Sequence, residues 1–194
     1  MHHEVEAGAI ATTRATPHVQ HGGGVELDRA PVNPSRRQCF TLELTAEVAS
    51  SRRNSPSGPG WGWHIETAVH VIRLILGGVF DRFPNLQIVI GHLGEGLPGM
   101  FQRLDVMAPA VTKLKRPVTS YLRENIHYTF SGFFFPPTFL ALLLELGGVD
   151  RMMFSVDHPY QSMAEGRAFL EQLPVSAADK ERIAHGNAEK LFKL

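Results

Sequence analysis

Two short stretches concentrate the side chains able to do chemistry. Gly91-His92-Leu93-Gly94-Glu95 places an imidazole three residues before a carboxylate, directly after the apolar run Leu86–Ile90. An imidazole there can hold a metal ion or move a proton near neutral pH, with the carboxylate as its orienting or proton-accepting neighbour. The alternative is a loop histidine satisfied by backbone. Asp157-His158-Pro159 follows a second apolar run, Arg151–Val156. Its aspartate can ligate a metal or act as general acid or base, although aspartate near a turn proline is also a common structural device. Ser131-Gly132 reads as a turn rather than a nucleophile. Gly91-x-x-Gly94-x-Gly96 has the wrong spacing for a dinucleotide loop, and a histidine and a glutamate intrude.

The remaining histidines offer less. His64 and His70 are six apart, about 600° of helix at roughly 100° per residue, so they face different ways and a shared metal is not expected. His127 and His185 read as packing or surface residues. His2, His3, His18 and His21 lie in an N-terminal tail and receive no role.

Something must bring His92 and Asp157 together across 65 residues. Ile65, Val69, Ile72, Leu76, Val79 and Phe83 recur at helical spacing, and Pro84 stops that helix. Leu86–Ile90 is almost wholly apolar, as suits a strand of a parallel sheet covered on both faces. Leu97–Met107 returns to helical period, Ile126–Ser131 reads as a second strand, Pro136–Leu146 as a helix ending at Gly147, and Arg151–Val156 as a third strand. Ser162 and Glu165 form a capping box that opens another helix, and Ser176–His185 and Ala188–Leu194 close the chain. Strand and helix alternate, which implies a parallel α/β sheet. The spacing is compatible with the roughly 31 residues per unit of a (β/α)8 barrel, and equally with a doubly wound sheet. In both architectures the site lies at the C-terminal ends of the strands.

Composition divides the 194 residues near position 58. Residues 1–58 hold a glycine triplet, scattered prolines and arginine pairs, and read as a disordered or unrelated leader. Within it only Cys39–Val48 has the alternating apolar character of a strand. Residues 59–194 read as the folded domain. Lysine plus arginine equals aspartate plus glutamate, 19 each, so neither nucleic acid nor an anionic membrane surface is the expected partner. One cysteine cannot form an internal disulfide, and the most apolar stretches, Val69–Phe80 and Phe133–Val149, are interrupted before membrane-spanning length. A soluble, cytoplasmic protein acting on a small molecule is the expectation.

Five blocks after Pro59 carry a specific resemblance: Trp61-Gly62-Trp63-His64-Ile65-Glu66-Thr67-Ala68, Gly77-Gly78-Val79-Phe80-Asp81-Arg82-Phe83-Pro84, Gly91-His92-Leu93-Gly94-Glu95, Phe154-Ser155-Val156-Asp157-His158-Pro159 and His185-Gly186-Asn187-Ala188-Glu189-Lys190-Leu191-Phe192. In this order they resemble the amidohydrolase-related family, closest to its γ-resorcylate, 2,3-dihydroxybenzoate, 5-carboxyvanillate and aminocarboxymuconate semialdehyde decarboxylases. The resemblance implies the C-terminal portion of a TIM-type barrel, with these strands as its sixth, seventh and eighth and the first half absent. It also implies a divalent metal, zinc or manganese, bound by Asp157 with His92 beside it. His92, Asp157, Glu95 and Arg103 are its implied catalytic group, with Glu95 partnering His92 and Arg103 supporting the cluster. The family's Glu-x-His or His-x-His pair occurs nowhere in the chain, and no histidine stands between Asn33 and Ser57 where a further ligand belongs. His158 and Tyr160 stand where the decarboxylases usually carry tyrosine and phenylalanine.

The resemblance therefore implies a carboxy-lyase for a hydroxylated aromatic or muconate-type acid. A hydrolase using metal-activated water is the alternative within the same chemistry. A non-catalytic fragment, or a partner of an intact homologue, is the alternative outside it. The chain alone is expected to bind metal poorly, to be inactive, and to oligomerise or aggregate through open barrel edges.

Overall fold

The computed structural model describes Cys39–Thr41 and residues 58–194, all within one compact unit. The reading of residues 1–58 as a leader lies outside the described residues, apart from Cys39–Thr41. That triplet is strand β1, part of the stretch with alternating character, and it adds a fourth strand to the three expected. β2 (Gln87–Ile90), β3 (Ile126–Thr129) and β4 (Met152–Met153) complete a sheet of order β1-β2-β3-β4. Every pairing is parallel: Cys39 opposes Gln87, Ile88 opposes Ile126, and Tyr128 opposes Met152. Residues on both faces of β2 and β3 are buried, so neither strand alternates in hydropathy.

Helices α1 (Gly62–Leu76) and α2 (Val79–Arg82) precede β2. The single helix expected to Phe83 is broken at Gly77-Gly78, where Gly78 adopts a left-handed conformation (φ 69°). The buried stripe of α1 is His64, Thr67, Ala68, Val71 and Ile75, whereas Ile65 and Val69 are exposed. The inward face is thus one residue off from the apolar series read in the sequence. α3 (Phe101–Met107) continues from a 3-10 turn at Pro98–Met100, and α4 (Val118–Glu124), which periodicity does not announce, leads into β3. α5 (Pro136–Leu146) starts on its prolines and ends at left-handed Gly147. α6 (Met163–Gln172) is capped by the Ser162 hydroxyl, which accepts from the Glu165 N–H. α7 (Ala177–Glu181) passes through a π turn, Arg182–Gly186, into α8 (Asn187–Phe192).

Around the end of β3 the core is aromatic. Phe130 meets Phe169 of α6, Phe139 of α5 and Phe154 edge to face, with centroids 5.3, 6.0 and 6.1 Å apart. Gly166 lets α6 approach closely, since a Cβ there would collide with Val156 Cγ1. This packing holds the last turn before Asp157. No helix among the described residues is long and apolar enough to cross a membrane.

Candidate active site

β2, β3 and β4 each lead into a backbone turn that residues with a Cβ rarely adopt. After β2, His92 (φ 47°), Leu93 (52°) and Glu95 (57°) are left-handed; Ser131 (44°) after β3 and Asp157 (64°) after β4 are the same. Among the described residues Lys193 is the one other non-glycine in that region. Left-handed backbone costs such residues about 1–2 kcal/mol each, so the strain is gathered at one end of the sheet. Strain of this kind is retained where surrounding packing enforces it, commonly at functional sites.

Those turns bring the polar groups together. Glu95 is buried, and its carboxylate lies between two imidazoles. Oε1 is 2.7 Å from His92 Nδ1, and Oε2 is paired with His64 Nδ1. The other His64 nitrogen, Nε2, is 2.6 Å from the carbonyl oxygen of Pro59. His92 Nε2 is directed to Asp157 Oδ2, 3.9 Å away. The His64 and His92 rings stand edge to face with centroids 4.8 Å apart, and half-buried Phe133 lies 4.9 and 5.1 Å from them. Asp157 is the most open of the four, its side chain 39 % exposed.

Burial works to lower the His92 pKa, but the Glu95 hydrogen bond and the charges of Glu95 and Asp157 outweigh it, and the net shift is upward. Donor atoms of His64, His92 and Glu95 all lie within 4.8 Å of one another, so this group could hold a metal ion. Gly91 keeps the floor open, since a Cβ would sit 3.0 Å from Ser131 Oγ and 3.6 Å from Glu95 Oε1. Ser131 behaves as a turn residue: its N–H donates to Ser155 Oγ at 2.8 Å, stitching the exits of β3 and β4.

Of the residues singled out in the sequence, His92, Glu95 and Asp157 meet at this end. Arg103 does not. It is exposed on α3, and no hydrogen bond or ion pair among the described residues joins it to His92, Glu95 or Asp157. His158 and Tyr160 are exposed. His70 points elsewhere, 3.9 Å from Glu66, as the 600° separation from His64 requires. His127 is buried against Gln87 and Arg151, and exposed His185 pairs with Glu189. Sequence reasoning missed His64 and Phe133. The available signal for His64 was its spacing with Ala68, Val71 and Ile75, which places it on the buried stripe.

A family model described as Amidohydrolase matches residues 5–194. A γ-resorcylate decarboxylase of Rhodococcus jostii is 42% identical over 142 residues, which are 71% of this chain and 43% of that protein. A dihydroxybenzoic acid decarboxylase from Polaromonas, solved with manganese and the inhibitor 2-nitroresorcinol, superposes with a TM-score of 0.69 at 36% identity. The match covers 80% of this chain and 49% of that one. A 2,6-dihydroxybenzoate decarboxylase from Rhizobium gives a TM-score of 0.71 at 35% identity, over 80% and 51% of the two chains. The chain thus spans about half the length of the relatives it matches.

Proposed function

The chain belongs to the amidohydrolase family, and from that premise we propose that it carries the sixth-to-eighth-strand part of a metal-dependent decarboxylase site. The substrate class is a hydroxylated aromatic or muconate-type carboxylic acid. One observation carries the reading: the neighbours His92 and Glu95 meet the distant Asp157 at the exits of parallel strands, in a chain whose relatives include aromatic-acid decarboxylases.

The donor set suits a divalent ion. His92 has its Nδ1 engaged by Glu95, the arrangement that fixes the ring of a metal-binding histidine and leaves Nε2 outward. Between Nε2 and Asp157 Oδ2 the gap is 3.9 Å, within the span of two bonds of about 2.0–2.2 Å to one ion. His92 and Asp157 would hold it on the open side. Zinc and manganese both accept nitrogen and oxygen ligands, and the Polaromonas relative was solved with manganese. When bound, such an ion polarises the substrate's carboxylate and adjacent hydroxyl and stabilises developing negative charge.

The chain's own groups do the rest. Glu95 fixes the His92 ring. Asp157 passes a proton to the ring carbon as the bond to the carboxyl carbon breaks. Carbon dioxide leaves and the ring keeps the hydrogen, so atoms and charge balance. Two donors are fewer than the three or more that usually fix a catalytic ion, so further ligands are needed from outside the described residues. Among the described residues β1 and β4 are the edges of the sheet, at which further strands of a barrel, or a second copy, would pair.

The test supplies the N-terminal half of the Rhodococcus relative in trans with manganese and measures carbon dioxide released from 2,6-dihydroxybenzoate. The 194-residue chain alone is expected to release none, and the completed protein to turn over. A completed, manganese-loaded protein that hydrolyses esters or lactones but releases no carbon dioxide would overturn the decarboxylase reading.

A further inference from the structure

We infer that His64 is a positioning residue of this site: it fixes the second oxygen of Glu95 and, through Glu95, aims His92 Nε2 at Asp157, without itself binding the ion. The inference rests on the reading that His92 is the working imidazole of the site.

The hydrogen bonds of His64 carry the argument. A backbone carbonyl only accepts, so the Nε2 facing Pro59 O at 2.6 Å must carry its hydrogen. That nitrogen has no lone pair for a cation. The other nitrogen, Nδ1, faces Glu95 Oε2, and one proton lies between them whichever atom carries it. Neither nitrogen can reach an ion unless a hydrogen bond, buried at Glu95 and part-buried at Pro59, is broken. A metal cage of His64, His92 and Glu95 would have to break the bond of His64 to Glu95 or to Pro59, whereas His92 can offer Nε2 with its own bond to Glu95 intact.

His92 differs in the one respect that matters. Its Nδ1 is taken by Glu95, while its Nε2 faces the open mouth and Asp157. A carboxylate behind a ligating histidine is the usual orienting device; here the carboxylate is itself gripped from its far side by a second imidazole. His64 is well placed for that grip. It sits in the first turn of α1 on the buried stripe, tied at one end to Pro59 and packed against Phe133. Without it, one oxygen of a buried carboxylate would lose its partner, and Glu95 could rotate away from His92.

The experiment compares the full chain with His64→Gln and His64→Ala. Glutamine retains an amide nitrogen with two hydrogens, enough to donate to both Glu95 and Pro59 O, but is a poor ligand for a transition metal. Imidazole nitrogen NMR on the metal-free proteins in alkaline solution reads the His92 tautomer, and electron paramagnetic resonance of free manganese reads affinity. Expected is one His92 tautomer, hydrogen on Nδ1, in the parent and in His64→Gln. His64→Ala should show a mixture of tautomers and bind manganese about 10- to 100-fold more weakly, the range for loss of an orienting partner, while His64→Gln stays near the parent.

Loss of affinity in His64→Gln equal to that in His64→Ala would make His64 a ligand and overturn the inference. So would a His64→Ala protein with parental tautomer and affinity, or a parent with hydrogen on His92 Nε2. If His64→Ala fails to fold, the tautomer in His64→Gln decides alone: a single form supports the inference and a mixture overturns it. If the chain alone binds no manganese, as its two donors imply, affinity is read in the protein completed with the relative's N-terminal half, and the tautomer comparison decides the role of His64 in either case.

Discussion

Where β2, β3 and β4 begin, buried polar side chains hold backbone; where they end, polar side chains hold one another on strained backbone. At the beginning, Asn125 Nδ2 donates to the carbonyls of Pro84 and Leu86 at 3.0 and 2.9 Å, and Asn187 Nδ2 to those of Val149 and Met152 at 2.7 Å each. Gln87 Oε1 accepts from Arg151 at 2.6 Å. A cavity of about 360 Å³ lies at this end, but the charged groups on its wall are largely engaged, Arg151 by Gln87 and Arg123 by the carbonyl of Glu145. At the other end, the left-handed residues present one carboxylate to two imidazoles and a second carboxylate to the open side. The amides supply donors to backbone carbonyls at the strand starts. The site accepts backbone strain to point side chains at a common space. On the proposed function, one end of the sheet serves stability and the other chemistry.

Substitutions should separate the two ends. In the protein completed with a relative's N-terminal half, His92→Ala and Asp157→Asn should each lower carbon dioxide release by about 10²–10⁴-fold, the range for losing a positioned acid–base group. Glu95→Gln should cost less. None of the three should shift the urea midpoint as far as changes at the other end. Full activity in Asp157→Asn would break the assignment of the strand exits as the chemical end.

Asn187→Ala removes a donor from the carbonyls of Val149 and Met152, of which Val149 keeps the Met152 N–H, and should destabilise the chain by about 1–3 kcal/mol. Manganese affinity should be unchanged. Urea unfolding followed by circular dichroism, with metal titration on the same sample, checks both halves of that statement.

Asp157→Gly should abolish metal binding yet raise stability by up to about 1 kcal/mol, because glycine adopts a φ of 64° without the Cβ penalty. A destabilised Asp157→Gly protein would show that Asp157 also supports the fold and would blur the contrast.

The smallest effect is a pH dependence. The Tyr121 hydroxyl donates to Asp81 at 2.5 Å and holds its pKa below the ordinary aspartate value; burial opposes this, and the Lys115 N–H reinforces it. A lowered folded-state pKa gives stability that is present above the unfolded-state pKa and lost as pH falls through the folded one. Acidification to roughly pH 3 should therefore weaken the parent more than Tyr121→Phe, measured by urea midpoints at neutral and acid pH. Equal acid sensitivity would remove this pair from the account.

The sequence by itself determined the alternation of strand and helix, the ends of α5 at Pro136 and Gly147, the capping of α6 by Ser162, and the placing of His92, Glu95 and Asp157 just beyond apolar runs. These follow from local rules: the period of apolar residues, the backbone limits of proline and glycine, and the donors at helix starts. Tertiary structure alone decided which stripe of α1 faces inward, because Ile65-Val69-Ile72 and His64-Ala68-Val71 both have helical spacing and lie next to each other on the cylinder. It decided that short, polar α4 forms, and that Cys39–Thr41 pairs with Gln87–Val89. Above all it decided that His64 meets Glu95 across 31 residues. Such contacts have no local signature, since they depend on how a helix rotates against a sheet, and that rotation is set by the summed packing of distant residues.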